Sequence, residues 1–510
     1  MPGAAECTRI MEQVVLDFIN IVNDALWSYL LIGLLLGAAI YFTVWTRGVQ
    51  FRMFGEMCRI LAESGGKYDD ARSARVDGHH KISSFQAFAV SIASRVGTGN
   101  LAGVATAIAV GGPGSVFWMW VVALLGSANA FIESTLAQLY KIYGPRSFVG
   151  GPAYYILKGL RCRWWAVVFA VLITLTFGLA FNSVQSNTIA QSLSRYNIET
   201  WFVGLVLTVM TVAVIWGGIQ RISRFSEIVV PVMAVAYIIL AVTVLVLNWR
   251  RIPEIFSMIF NGAFNWDSAV GGGVGAAIMM GVKRGLFSNE AGEGSTPNAA
   301  ATAAVSHPVK QGLVQTLGVF TDTLLICTCT AFIILASGIF DSGASGIVLT
   351  QQALDSEVGA GMGTAFVGIA VFFFAFTSIV ANYYYGETNL MFIMATRPVV
   401  LGGVRPEKIE HIRFADIPGA RSAVVVYRVA VAGMVMLGSV MSLDTVWALA
   451  DLMMALMTVC NLAAILPLGK YAVALLQDYT AQRRRGLDPV YDSATLPDIA
   501  DSTPTWAAAH

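Results

Sequence analysis

The residues with the most chemical promise sit where a lipid-spanning helix should carry none. Ser94-Arg95-Val96-Gly97-Thr98-Gly99-Asn100 places two glycines, two hydroxyls, an amide and a guanidinium inside a run that stays apolar or small on both sides, over 85–93 and 101–110. Glycine costs a helix interior about 1 kcal/mol per residue, so the helix is expected to unwind there. Unwinding frees N–H groups on the second half-helix, which suit a carboxylate, and carbonyls on the first, which suit a hard cation such as Na⁺. A small-residue packing face, with Gly99 and Gly103 paired, is the competing reading. The midspan polar side chains favour a site.

A second interruption is expected in the run 268–289. Gly271-Gly272-Gly273-Val274-Gly275 sets four glycines in five positions, so Gly273 is a candidate for the break itself. Ten residues on, Gly285 opens a stretch that carries Ser288, Asn289, Glu290, Glu293 and Ser295. Ionisable groups at membrane depth are costly and mark coupling or gating positions. The alternative pairs Glu290 and Glu293 with Lys283 or Arg284 at the cytoplasmic edge. Two further polar groups belong to the same search. Asn182, Gln185 and Ser186 are three and four apart, on one helical face, and either face substrate or bind neighbouring helices. Thr377 and Ser378 follow Phe374 in an apolar span. They either complete an oxygen cage for a cation or bond back to their own helix.

These positions need a scaffold, and composition says which. Of 510 residues, 56% are hydrophobic and 12% charged, about half the charge of a soluble domain. A bilayer accounts for the deficit. Eleven spans are read near 27–46, 83–110, 114–140, 164–193, 201–218, 225–247, 268–289, 312–338, 362–395, 423–441 and 446–470. Alternate loops then hold 26 of the 32 basic residues, which puts the N-terminus outside and the C-terminus in the cytoplasm. The first 26 residues, with Glu6, Glu12, Asp17 and Asp24, do not read as a cleaved signal. Residues 50–64 read as an interfacial helix, and the polar tail from about 480 as disordered.

With the first span set aside, the remaining ten divide into five and five, and each half begins with a broken helix. An odd number per half forces opposite orientations, the inverted-repeat plan of many secondary transporters. The chain therefore divides into an N-terminal segment (1–82), two five-helix repeats (83–248 and 262–477) and a tail (478–510). The fold class is an all-α polytopic membrane protein of about eleven helices.

Other chemistries are weakly supported. Net charge is +1, so nothing points to nucleic acid. The six cysteines show no metal-binding spacing, and His79-His80 reads as a solvated loop pair. With no phosphate loop or nucleophile–base arrangement, an ATP-driven pump or a membrane enzyme is disfavoured, and no cofactor is expected.

Long blocks in fixed order carry a family resemblance: SRVGTGNLAGVATAI (94–108), GGPGSVFWMW (111–120), GGPAYYILKGL (150–160), VKRGLFSNEAGEGSTPNAAA (282–301), HPVKQGL (307–313), DTLLICTCTAF (322–332) and FAFTSIVANYYYGETNL (374–390). The sequence resembles the alanine/glycine:cation symporter family over about 83–477. The resemblance implies uptake of alanine or glycine coupled to Na⁺, sometimes H⁺, in a bacterial inner membrane. It implies the inverted-repeat fold typified by LeuT, with one extra N-terminal helix. Carried over, that fold faces carbonyls at Ala93 and Val96, with Phe374 beside them, toward Thr377 and Ser378 across a sodium site. It sets the substrate carboxylate near Gly97, Thr98, Gly99 and Asn100, with Asn182 and Gln185 as further substrate contacts and Gly273 at the second break. The pocket should admit a side chain no larger than methyl. Glu293 and Cys460 depart from the family pattern, and the first leaves glutamine open as cargo. A passive facilitator or a non-transporting sensor is the alternative outside the class.

Overall fold

The computed structural model describes residues 4–64, 82–144, 147–216, 219–264, 273–397, 400, 405–411 and 417–507. His79-His80 and Gly271-Gly272 lie outside them.

The architecture is helical throughout, apart from a two-residue hairpin pairing Ile142 with Val149 and Tyr143 with Phe148. Among the described residues, eight helices are long and apolar enough to cross a membrane, with Gly99–Gly111 and Thr200–Ile215 as shorter apolar ones. The first is longer than expected. A helix over Ala4–Ala25 runs through a π-helical turn, Leu26–Leu31, into α1 (Ile32–Trp45), so its apolar part begins at Leu16. The stretch expected to lie on the interface forms α2 (Phe54–Ser64). Its Glu56 accepts from the hydroxyl of Tyr479 at 2.6 Å and pairs with Arg59 and Arg483.

The first broken helix comprises α3 (Ser84–Arg95) and α4 (Val104–Gly111), joined through the π-helical Gly99–Gly103. It starts on a capping box in which the Ser83 hydroxyl and the Gln86 side chain exchange bonds with each other's backbone N–H groups. Then follow α5 (Gly114–Leu139), α6 (Arg163–Leu175) with α7 (Asn182–Ser194) across the π-helical Thr176–Phe181, α8 (Thr200–Ile215) and α9 (Ile219–Leu247). The second half contains α10 (Gly273–Asn289) and α11 (Pro297–Ala300), then α12 (Pro308–Val319) and α13 (Thr328–Ser337) across Phe320–Cys327. It ends with α14 (Met362–Ala395), α15 (Ala420–Val440) and α16 (Leu443–Arg484).

The halves interleave. α5 packs on α10 and α12, α7 on α14 and α15, and α9 on α3, α13 and α14. The site helices are therefore enclosed, while others meet lipid. α9 leaves Ile228, Val232, Val235, Ile239, Val242 and Val246 exposed at spacings of three and four, a lipid-facing stripe. Trp164, Trp201, Trp216 and Trp249 are exposed near helix ends, as in an interfacial aromatic belt.

Two expectations are corrected. The described part of the glycine run, Gly273–Gly275, is not a break. Gly273 is the first residue of α10 and Gly275 lies inside it. The chain leaves the helix after Asn289, at Glu290–Thr296, where Glu290, Gly292 and Gly294 take left-handed φ values of 55°, 94° and 86°. An α-helix of 17 residues puts Gly273 about 25 Å from that break. The tail is not disordered either. α16 extends to Arg484, and Tyr491, Ile499 and Trp506 are buried beyond it. The Thr505 hydroxyl donates to the Lys141 carbonyl at 2.8 Å, the Trp506 indole to the Gln138 carbonyl at 3.2 Å, and Tyr491 N–H to the Ser306 carbonyl at 2.9 Å. A few aromatic anchors with paired backbone groups order a segment whose average composition is polar.

Candidate functional site

The first break is built by its glycines. Val96 is extended (φ −79°, ψ 90°), which ends α3. The freed N–H groups find side-chain acceptors. Gly97 N–H donates to Asn100 Oδ1 at 2.9 Å, and the Thr98 N–H and hydroxyl both donate to Gln185 Oε1, at 3.0 and 2.8 Å. A Cβ on Gly97 would collide with Ser378 Oγ and lie 2.8 Å from Gln185 Oε1, so a side chain there would have to push both away. At Gly99 the equivalent atom would sit 3.1 Å from the Ser288 Cα, so α10 presses directly on this backbone.

The freed carbonyls meet α14. Ser378 Oγ lies 2.9 Å from the Ala93 carbonyl, 3.4 Å from that of Val96 and 3.0 Å from that of Phe374. Thr377 Oγ1 is 2.9 Å from the Phe374 carbonyl. Both hydroxyls are buried. One serine proton cannot serve three carbonyls at once, so Ser378 leaves a surplus of oxygen lone pairs around one point. A hard cation takes up such a surplus without any net charge on its ligands.

Around this core lies a polar layer. Asn182 Oδ1 accepts from the Asn382 amide at 3.2 Å, and Ser94 Oγ is 2.9 Å from Asn382 Oδ1. Ser94 donates to Glu290 Oε1 at 2.6 Å, and Ser295 to Glu290 Oε2. Arg95 is buried and donates to the Thr296 hydroxyl at 3.1 Å and the Gln315 carbonyl at 3.2 Å. The two breaks are thus tied together by Ser94–Glu290 and Arg95–Thr296. An aromatic wall stands beside them. Phe181 packs on Phe287 with ring centroids 4.6 Å apart, and Phe287 on Trp447 at 4.7 Å.

The structure thus gathers Ala93, Val96, Gly97, Thr98, Gly99, Asn100, Asn182, Gln185, Phe374, Thr377, Ser378 and Glu290 into one linked region, and leaves Gly273 outside it. The pairing of Glu290 or Glu293 with Lys283 or Arg284 is not found. Lys283 lies 3.5 Å from Asp451, and Arg284 pairs with the same carboxylate while stacking over Trp447 at 4.1 Å. Sequence reasoning passed over two carboxylates. Asp322 accepts from Asn100 Nδ2 at 2.7 Å and from Ser288 at 2.8 Å. Glu133 accepts from Gly292 N–H at 3.1 Å and Asn461 Nδ2 at 2.8 Å. Each is a lone carboxylate within an apolar span, the signal that could have found it.

Enclosed broken helices linked through buried polar contacts, within a lipid-facing shell, define a multi-pass membrane fold of LeuT type. The overall fold is similar to the crystal structure of MhsT in complex with L-phenylalanine, with a TM-score of 0.51 at 15% identity over 83% of this chain and 93% of that one. The sequence model of the sodium:alanine symporter family matches residues 11–406 and 409–493, and the chain belongs to that family. It is similar to the amino-acid carrier protein AlsT of Bacillus subtilis, 46% identical over 97% of this chain and 98% of that one. It is likewise similar to the probable sodium/glutamine symporter GlnT of the same organism, 47% identical over 94% of each.

Proposed function

We propose that the protein carries alanine or glycine inward across a bacterial inner membrane with Na⁺, by alternating access between two inverted five-helix repeats (83–248 and 262–477). In this reading the N-terminus is outside and the C-terminus cytoplasmic, as the basic loops imply. Na⁺ binds between the carbonyls of Ala93, Val96 and Phe374 and the hydroxyls of Thr377 and Ser378. The observation that carries it is the single Ser378 hydroxyl set against three carbonyls. The substrate carboxylate takes the Thr98 N–H and hydroxyl, which Gln185 Oε1 occupies here. Gln185 then turns toward the substrate, and Asn182 and Asn100 complete the polar rim. Phe287 stands 3.2 Å from where a Cβ on Gly99 would lie, with Phe181 packed against its ring, which supports a side chain of hydrogen or methyl.

The test is uptake of labelled alanine into proteoliposomes with and without an inward Na⁺ gradient. Concentrative uptake that needs the gradient is expected. Uptake that stops at equilibration would leave a passive facilitator. Glutamine is the second reading, favoured by the similarity to GlnT. A competition panel decides between them: alanine and glycine should displace the label well below the concentration at which glutamine does.

A further inference from the structure

The second break holds a carboxyl group that nothing in the transport site uses. Glu293 is fully buried, and neither of its oxygens has a hydrogen-bond partner. Across from it, on α5, Asn129 is also fully buried with both amide atoms unpartnered. Asn129 faces the break, because its Nδ2 lies 3.2 Å from where a Cβ on Gly292 would stand. Glu133, one turn further along α5, accepts the Gly292 N–H.

The charges here do not balance. Glu290, Glu293 and Glu133 lie within electrostatic reach of one guanidinium, that of Arg95 on α3. Arg95 spends its own hydrogen bonds on Thr296 and a backbone carbonyl, not on a carboxylate. Asp322 and the phenol of Tyr385 also face Glu290, and the Tyr155 phenol faces Glu133. No second cation opposes them among the described groups. An ionised carboxylate with no donor, in a place closed to water, is far costlier than an orphaned neutral group. The cluster must therefore take up a cation.

The ligand count selects which one. Both oxygens of Glu290 are held by Ser94 and Ser295, and both of Glu133 by Gly292 and Asn461. The oxygens with no partner of their own are the two of Glu293 and Oδ1 of Asn129, and drawing the about six that a hard metal cation wants would mean pulling Glu290 and Glu133 off the donors that hold the break. A proton needs one oxygen. We propose that Glu293 is a proton-binding site. Its carboxylate takes one proton from water when the Glu290–Thr296 segment opens, becomes a neutral acid in the closed state, and returns the proton on reopening, so that H⁺ moves with the carrier's cycle. This rests on the reading of the protein as a Na⁺-coupled carrier.

Two measurements on the full-length protein test it. The first needs no transport: an infrared difference spectrum between H₂O and D₂O at neutral pH. It should show the C=O stretch of a protonated carboxylic acid in the wild type, and this band should be lost in Glu293→Gln. A wild type without the band, or a band unchanged in the variant, overturns the proposal. The second uses proteoliposomes with a trapped pH dye. Alanine added with a Na⁺ gradient should acidify the lumen in the wild type. Glu293→Gln should keep Na⁺-driven uptake, lose most of the acidification, and show a flattened dependence of uptake on pH. Sodium-driven uptake in the wild type with no proton signal and a flat pH profile refutes it. If Glu293→Gln does not fold, the wild-type arms of both measurements still decide.

Discussion

At the residue scale, the first break works through contacts too tight to vary. A methyl at Gly97 must displace either Ser378 or Gln185, and both belong to the proposed site. Gly97→Ala should therefore abolish concentrative alanine uptake while the protein still reaches the membrane, as checked by surface labelling alongside transport. Thr377→Ala and Asn100→Ala act differently. Thr377→Ala removes one of the proposed cation ligands. Asn100 removes the acceptor that holds Gly97 N–H and the donor to Asp322. Each should raise the half-saturating Na⁺ concentration about tenfold, equivalent to about 1.4 kcal/mol, with folding intact. Unchanged Na⁺ dependence in both would show that the cation binds elsewhere.

At the scale of elements, the break after α10 is held open by α5 and α16. Glu133 supplies the acceptor for Gly292 N–H, and Asn461 bridges Glu133 and the Gly292 carbonyl, at 2.8 and 2.9 Å. Glu133→Ala leaves the Gly292 N–H and one of the two N–H groups of the Asn461 amide buried without acceptors, each costing about 1–3 kcal/mol. The thermal midpoint in detergent should fall clearly, whereas Glu133→Gln should recover most of the loss. Outside the membrane, burial opposes ionisation of Glu56, but Arg59, Tyr479 and Arg483 outweigh it and hold its carboxyl below the usual carboxylate range. The docking of α2 that depends on this charge is complete above pH 4.5, the ordinary value, and is lost as the pH falls through the lower folded value.

For the whole molecule, the last segment of chain is part of the packed structure. It covers the ends of α5 and the helix Pro152–Gly159, where Lys158 donates to the Ser502 carbonyl at 3.4 Å and Lys141 sits over the Trp506 ring at 4.7 Å. A chain ending at Arg485 should be cut faster by protease added to inside-out vesicles, and should lose about 2–4 kcal/mol as the donors and acceptors at Gln138, Lys141 and Ser306 lose their partners. The same vesicles report topology, since an epitope at residue 510 should be reached only from the cytoplasmic side.

Much of this protein was legible without coordinates, for a physical reason. Hydropathy and the helix-breaking cost of Gly97 and Gly99 are local properties, and a bilayer turns them directly into spans and a break. The same local logic failed at Gly273–Gly275, glycines that looked like a break but begin a helix. It failed again in the tail, where average polarity hid the anchors Tyr491 and Trp506. What only the tertiary structure decided is which distant groups meet. Ser94 and Glu290 stand 196 positions apart, and Glu133 and Asn461 stand 328 apart. Lysine and arginine near the acidic stretch looked like its partners by proximity in sequence, yet packing delivered them to Asp451. Burial makes the cost of an unpaired charge large, so the partners chosen by the fold, and the buried Glu293 carboxyl that it leaves without any, determine where a cation has to go.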